Sequence, residues 1–129
     1  MLDILQQNYG YLFEDELIKE ISEVGVLKKV SEGMTLIDIG EYITSIPLLL
    51  SGAIKIMRED DKGDDLILYF IEMGDTCAMT LSCCMGDKKS EIRAVAETDA
   101  TLIMIPVKKM SEWMSKYKSW QNFILQSYN

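Results

Sequence analysis

Apolar residues recur at helical spacing at both ends of this chain and crowd into short runs between them. Leu2, Ile4 and Leu5 open an apolar stripe, which resumes after Gly10 with Leu12, Phe13, Leu17, Ile18 and Ile21. That is the recurrence of amphipathic helices. Glu14, Asp15 and Glu16 stand where carboxylates favour a helix N-terminus, and Gly25 is placed as a C′ stop. From Val26 the pattern changes to short apolar segments, Val26–Val30, Met34–Ile39, Pro47–Leu50, Ala53–Arg58, Leu66–Ile71, Glu91–Ala96 and Thr101–Ile105. Each predicts a strand. Leu66–Ile71 lacks polar alternation and predicts a strand covered on both faces. After Pro106, a fitting N1 residue, the helical period returns. Val107, Met110, Trp113, Met114 and Tyr117 share a face opposite Lys108, Lys109, Glu112 and Lys116, and a second segment, Trp120–Tyr128, carries Phe123 and Ile124.

Gly33, Gly40, Gly52, Gly63 and Gly74 punctuate the strands at intervals of 7, 12, 11 and 11 residues. Turn signals at that spacing between short strands mark an all-β sandwich or barrel. The acidic stretch Glu59–Asp65 reads as a hairpin loop between two strong strands. The expected fold class is therefore mainly β with flanking helices, in one domain over residues 1–129. Within it, 1–25 are N-terminal helices, 26–106 a β-roll and 107–129 C-terminal helices. The last helix is expected to continue beyond Asn129.

Composition narrows the function. The 129 residues are 48% hydrophobic and 26% charged, the range of a packed globular domain. The longest apolar run, Leu66–Ile71, is far too short to cross a bilayer. Three cysteines confined to Cys77–Cys84 suit a reducing cytoplasm, and no secretory signal is recognisable. Thirteen Lys and Arg against 21 Asp and Glu leave a net charge of −8, which repels phosphate backbones. The chain is not expected to bind DNA or RNA by itself. It has no histidine, which removes Ser-His-Asp and Cys-His catalysis and three-histidine metal sites. No enzyme activity and no cofactor are expected.

The order of glycines and strands carries a resemblance. Leu27-Lys28-Lys29-Val30, Gly33-Met34-Thr35-Leu36 and Gly40-Glu41 are followed by Leu49-Leu50-Ser51-Gly52-Ala53-Ile54-Lys55-Ile56, the hairpin glycine Gly63 and the turn Gly74-Asp75. Over residues 12 to 129 this resembles the cyclic-nucleotide-binding domain family, above all the N-terminal sensor domain of Crp/Fnr-type bacterial transcription regulators. The resemblance implies a double-stranded β-helix or jelly roll that senses a small-molecule effector. It further implies a homodimer through a C-terminal helix starting near Trp120, and paired DNA-binding domains that lie outside this sequence.

The resemblance also locates the site, and here the sequence departs from the pattern. Cyclic-nucleotide binders of the family read G-[DE]-x-F-G-E before a short cassette helix and R-[ST]-A further on. This chain reads Gly74-Asp75-Thr76-Cys77-Ala78-Met79. Ala78 replaces the glycine that lets the backbone approach the cyclic phosphate, and Met79 the glutamate that accepts the ribose hydroxyl. Alignment of Ala94–Asp99 with the family's strand puts Ser90-Glu91-Ile92 on R-[ST]-A, so the arginine is missing and Glu91 adds negative charge. The loss of a charge-assisted pair predicts roughly hundredfold weaker binding of cAMP or cGMP, or worse. A different loop length would instead bring Lys89 or Arg93 toward the site. The candidate pocket residues are Cys77, Ala78, Met79, Thr80, Leu81, Ser90, Glu91 and Ile92. Such a pocket suits a less charged effector, or none, although a helix over Thr80–Met85 would offer N-terminal amides to an anion.

Other features carry less. Cys77, Cys83 and Cys84 are one thiolate short of an ordinary iron–sulfur site, and free cysteines are by default packed residues. The methionines read as core filling. The acidic hairpin lacks the ligand spacing of a calcium loop. Three alternatives remain to the regulator: a regulatory module of a kinase or channel, a stand-alone small-molecule binding module, and a cupin-like enzyme, whose usual metal ligands are absent.

Overall fold

The computed structural model describes residues 1–75 and 89–126. Two antiparallel sheets form a roll, and four helices gather against one of them. The elements run α1 (Leu2–Tyr9), α2 (Asp15–Val24), β1 (Val26–Val30), β2 (Thr35–Ile37), β3 (Ser45–Ser51), β4 (Ile54–Glu59) and β5 (Asp65–Ile71), then β6 (Arg93–Ala96), β7 (Ala100–Pro106), α3 (Val107–Lys116) and α4 (Lys118–Gln126). Strand order is β1-β7-β3 in one sheet and β2-β6-β4-β5 in the other. The fold class is the one the sequence predicts, and β1 matches its predicted bounds to the residue.

The three-stranded sheet has two covered faces, and its alternation shows how. In β3, Ile46, Leu48 and Leu50 pack toward the helices while Leu49 packs into the roll, and in β7 Ile103 and Ile105 face the helices while Leu102 faces inward. The helix-side core is strongly aromatic. Tyr9 stacks on Phe13 with centroids 5.4 Å apart, Phe13 meets Phe123 edge-on at 5.1 Å, and Trp113 meets Trp120 edge-on at 5.1 Å. The roll interior is aliphatic, built from Val30, Ile37, Leu49, Ile54, Ile56, Ile71, Ile92 and Leu102 with small Ala94, Ala96 and Ala100.

Several expectations are corrected. Leu66–Ile71 is not doubly covered: β5 is the edge of the four-stranded sheet, and Leu66, Ile67 and Phe70 remain about half exposed. A register shift between Ile56 and Met57 in the β4–β5 ladder interrupts its alternation. The doubly covered strands are β3 and β7, because they lie between the roll interior and the helices. Gly25 does end α2, but in an extended conformation and not the left-handed one. Its lack of a side chain serves packing, since a Cβ there would lie 2.4 Å from Ile103 Cγ2. Pro106 closes β7 and caps α3, which starts at Val107.

The punctuating glycines all lie in turns at positive φ. Gly52, at φ +84°, is the most constrained, because a Cβ would sit 2.5 Å from the Asp99 carbonyl oxygen and 2.8 Å from Ala100 Cα. The acidic stretch is the hairpin turn expected: the Asp60 carboxylate accepts from the amides of Lys62 and Asp64, both at 2.9 Å.

Candidate functional site

The segment between β5 and β6 is where the resemblance places ligand chemistry, and the structure describes how both of its ends are anchored. At the entry, β5 ends at buried Ile71 and the chain turns through Glu72–Asp75. The Asp75 amide donates to the Glu72 carbonyl and the Glu72 amide to the Asp75 carboxylate, both at 3.0 Å. Gly74, at φ +92°, donates its amide to the Tyr9 hydroxyl at 3.2 Å. That hydroxyl donates in turn to the Leu49 carbonyl at 2.8 Å. Burial pushes the Tyr9 phenol up to about 12, because a phenolate there would have no water around it. It therefore stays a protonated donor.

At the exit, residues 89–92 are anchored to the β2–β3 connection. Lys89 bridges to Tyr42, with its ammonium 5.7 Å from the ring centroid. The Ser90 amide donates to the Glu41 carbonyl at 2.7 Å, and the Gly40 amide to the Ser90 carbonyl at 2.8 Å. Beside this anchor lies a groove of about 290 Å³, lined by Lys28, Ile37, Tyr42 and Met104 among others.

Ser90, Glu91 and Ile92 have three different environments. Ser90 is buried, and its hydroxyl is spent locally, donating to the Ile92 carbonyl at 2.8 Å and accepting from the Ile92 amide at 3.2 Å. Glu91 is exposed. Ile92 is fully buried in the aliphatic interior of the roll. Arg93 points to the opposite side of β6 from Ile92 and Ala94, where it binds Asp38 at 2.8 Å, Asp65 at 2.7 Å and Glu59 at 3.5 Å. Its hydrogen bond to Asp38 raises the guanidinium and holds the Asp38 carboxyl below its ordinary value. Cys77, Ala78, Met79, Thr80 and Leu81 lie outside the described residues, as do Cys83, Cys84 and the Thr80–Met85 segment. Among the described residues, Ser90 is the one buried polar or charged residue, and no group of His, Cys, Asp or Glu is arranged to hold a metal.

The described part of the arrangement is two anchored ends beside the aliphatic core of the roll, and it places no cation inside that core. Tyr9 is the residue that sequence reasoning passed over: its spacing on α1 marks it as core, and nothing local reveals that its hydroxyl serves a turn 65 positions away.

The sequence profile of the cyclic nucleotide-binding domain family matches residues 27–117. The chain belongs to this family. No curated protein matches it in sequence. Among solved structures, the sensor domain of the transcriptional regulator DNR from Pseudomonas aeruginosa superposes with a TM-score of 0.76 at 19% identity, covering 98% of this chain and 84% of that one. A transcriptional regulator assigned to the Crp/Fnr family from Eubacterium rectale gives 0.74 at 22% identity, over 93% of this chain and 56% of that one. Catabolite activator protein from Thermus thermophilus gives 0.68 at 15% identity, over 88% and 50%. The chain thus spans about half the length of the latter two. The family is one of regulatory binding domains, and among the described residues no helix is long and apolar enough to cross a membrane.

Proposed function

We propose that this chain is the effector-sensing domain of a Crp/Fnr-type transcription regulator, and that its effector is not a tightly held cyclic nucleotide. The observation that carries the second half is the fate of the arginine that follows the Ser90–Ile92 segment. Arg93 is committed to Asp38, Glu59 and Asp65 on the far side of β6, while Ser90, aligned with the family's arginine, spends its hydroxyl on its own loop. A cyclic phosphate would meet exposed Glu91 nearby, with no paired guanidinium to offset it. The roll interior behind this segment, with Ile37, Ile56, Ile71 and Ile92 buried in it, supplies no counter-charge, which favours a weakly charged ligand.

Support for a regulator comes from the likeness to regulator sensor domains and from two longer relatives, of which this chain spans about half. On this reading DNA contact belongs to residues outside the chain, the protein is cytoplasmic, and it has no catalytic residue. A homodimer would form through the helix that starts as α4. The Trp120, Phe123 and Ile124 side chains are already buried within the chain, so a second copy would meet the face carrying Leu125, which is 60% exposed.

Calorimetric titration with cAMP and with cGMP tests the ligand half. Dissociation constants weaker than about 100 μM are expected for both, a hundredfold above a typical micromolar site. Low-micromolar binding of either nucleotide would overturn it. Sedimentation and operator binding by the gene's full product test the regulator half.

A further inference from the structure

Three parts of the molecule meet at one buried oxygen. Tyr9 is the last residue of α1 and has no exposed surface. An aromatic ring at that position fills the helix-side core without needing a hydroxyl, and phenylalanine would do so as well. A buried hydroxyl is unfavourable unless it is bonded, and this one is bonded twice to backbone. It donates to the Leu49 carbonyl, on a strand whose Leu49 side chain enters the roll interior. It accepts from the Gly74 amide, at the turn leading to residue 76. Within that turn Glu72 and Asp75 satisfy each other, which leaves the Gly74 amide to Tyr9. On its other side the Tyr9 ring lies parallel to Phe13, at 7°, and Phe13 contacts both Phe123 and Trp120 of α4, at 5.1 and 5.9 Å. Buried contacts thus run unbroken from α4 through Phe13 and Tyr9 to Gly74. Close-packed interiors transmit displacement along such a series because no void absorbs it.

We propose that Tyr9 is a positioning residue, whose hydroxyl sets the Glu72–Asp75 turn and couples it to the C-terminal aromatic helices. The inference rests on the sensor reading only for the statement that this turn borders a ligand site. The coupling is a property of the chain and is testable without ligand.

The experiment is amide hydrogen exchange by NMR on the whole chain, comparing the unsubstituted protein with Tyr9→Phe, Phe123→Leu and the double variant. The Gly74 amide is expected to be protected in the unsubstituted protein and to exchange at least tenfold faster in Tyr9→Phe, with β1–β7 amides unchanged. Phe123→Leu is expected to move the Gly74 resonance when Tyr9 is present and to leave it in place in the Tyr9→Phe background. A merely structural tyrosine would give additive changes spread over the core. An unprotected Gly74 amide in the unsubstituted protein, or Gly74 exchange unaltered by Tyr9→Phe, would overturn the proposal. So would a Phe123→Leu shift at Gly74 that survives loss of the hydroxyl. Tight cAMP binding in the titration above would refute the ligand assignment and leave this coupling standing.

Discussion

Glu20 on α2 ties the N-terminal helices to α3, and removing its charge should cost the domain a measurable part of its stability. Its carboxylate accepts from the Lys116 ammonium, from the Tyr117 hydroxyl at 2.6 Å and from the Trp113 indole N–H at 2.7 Å. Those donors, Lys116 foremost, hold the carboxyl at about 2 against an ordinary 4.5. A folded-state value below the unfolded one means that the stabilisation is fully present above pH 4.5 and is lost as pH falls from there toward 2. At about 1.4 kcal/mol per pH unit the displacement sets a ceiling of about 3.5 kcal/mol. Lys116 is 57% exposed and the Glu20 side chain 22%, so solvent screens the ammonium's share, and about 2 kcal/mol is the expected figure for Glu20→Gln at pH 7. The assay is urea unfolding followed by tryptophan fluorescence, since Trp113 and Trp120 are both fully buried. For a domain of this size the same change should lower the melting temperature by about 6–10 °C. The difference between the unsubstituted protein and Glu20→Gln should shrink steadily from pH 4.5 to pH 3, where Glu20 itself becomes protonated in the unfolded chain. A loss below about 0.5 kcal/mol at pH 7, or a loss that does not change with pH, would refute the reasoning.

Three further substitutions have expected outcomes. Gly52→Ala should destabilise by at least about 2 kcal/mol, because backbone atoms of Asp99 and Ala100 crowd the new methyl group as well as the left-handed φ opposing it. Gly63→Ala, at nearly the same φ with nothing within 4 Å, should lose only about 1 kcal/mol in the same thermal melt; equal losses would show that conformation alone matters. Arg93→Gln should lower the melting temperature most at low salt, by leaving Asp38, Glu59 and Asp65 facing one another, and 0.5 M NaCl should recover part of the loss. As pH falls and Asp38 is protonated, its own contribution to the unsubstituted protein disappears, so the two proteins should converge on the acid side.

The helices, the strands and the turns are legible from local pattern, because each is encoded by residues a few positions apart. The 3.6-residue stripes mark α1 to α4 within a few residues, and the glycines mark turns that all need positive φ. Acidity and the lack of histidine also restrict the chemistry, by composition alone. Which strand is covered twice is another matter. Leu66–Ile71 and Pro47–Leu50 are both dense apolar runs, yet β5 is a half-exposed edge and β3 is wrapped on both sides. Coverage depends on what folds back from elsewhere, here helices from both ends of the chain. The partners of the polar groups obey the same limit. Glu20 finds Trp113, Lys116 and Tyr117 from 93 to 97 positions away, Arg93 finds Asp38 at 55, and the Tyr9 hydroxyl finds Gly74 at 65. Periodicity and turn chemistry are short-range properties, whereas burial and charge pairing belong to segments that become neighbours only when the roll closes.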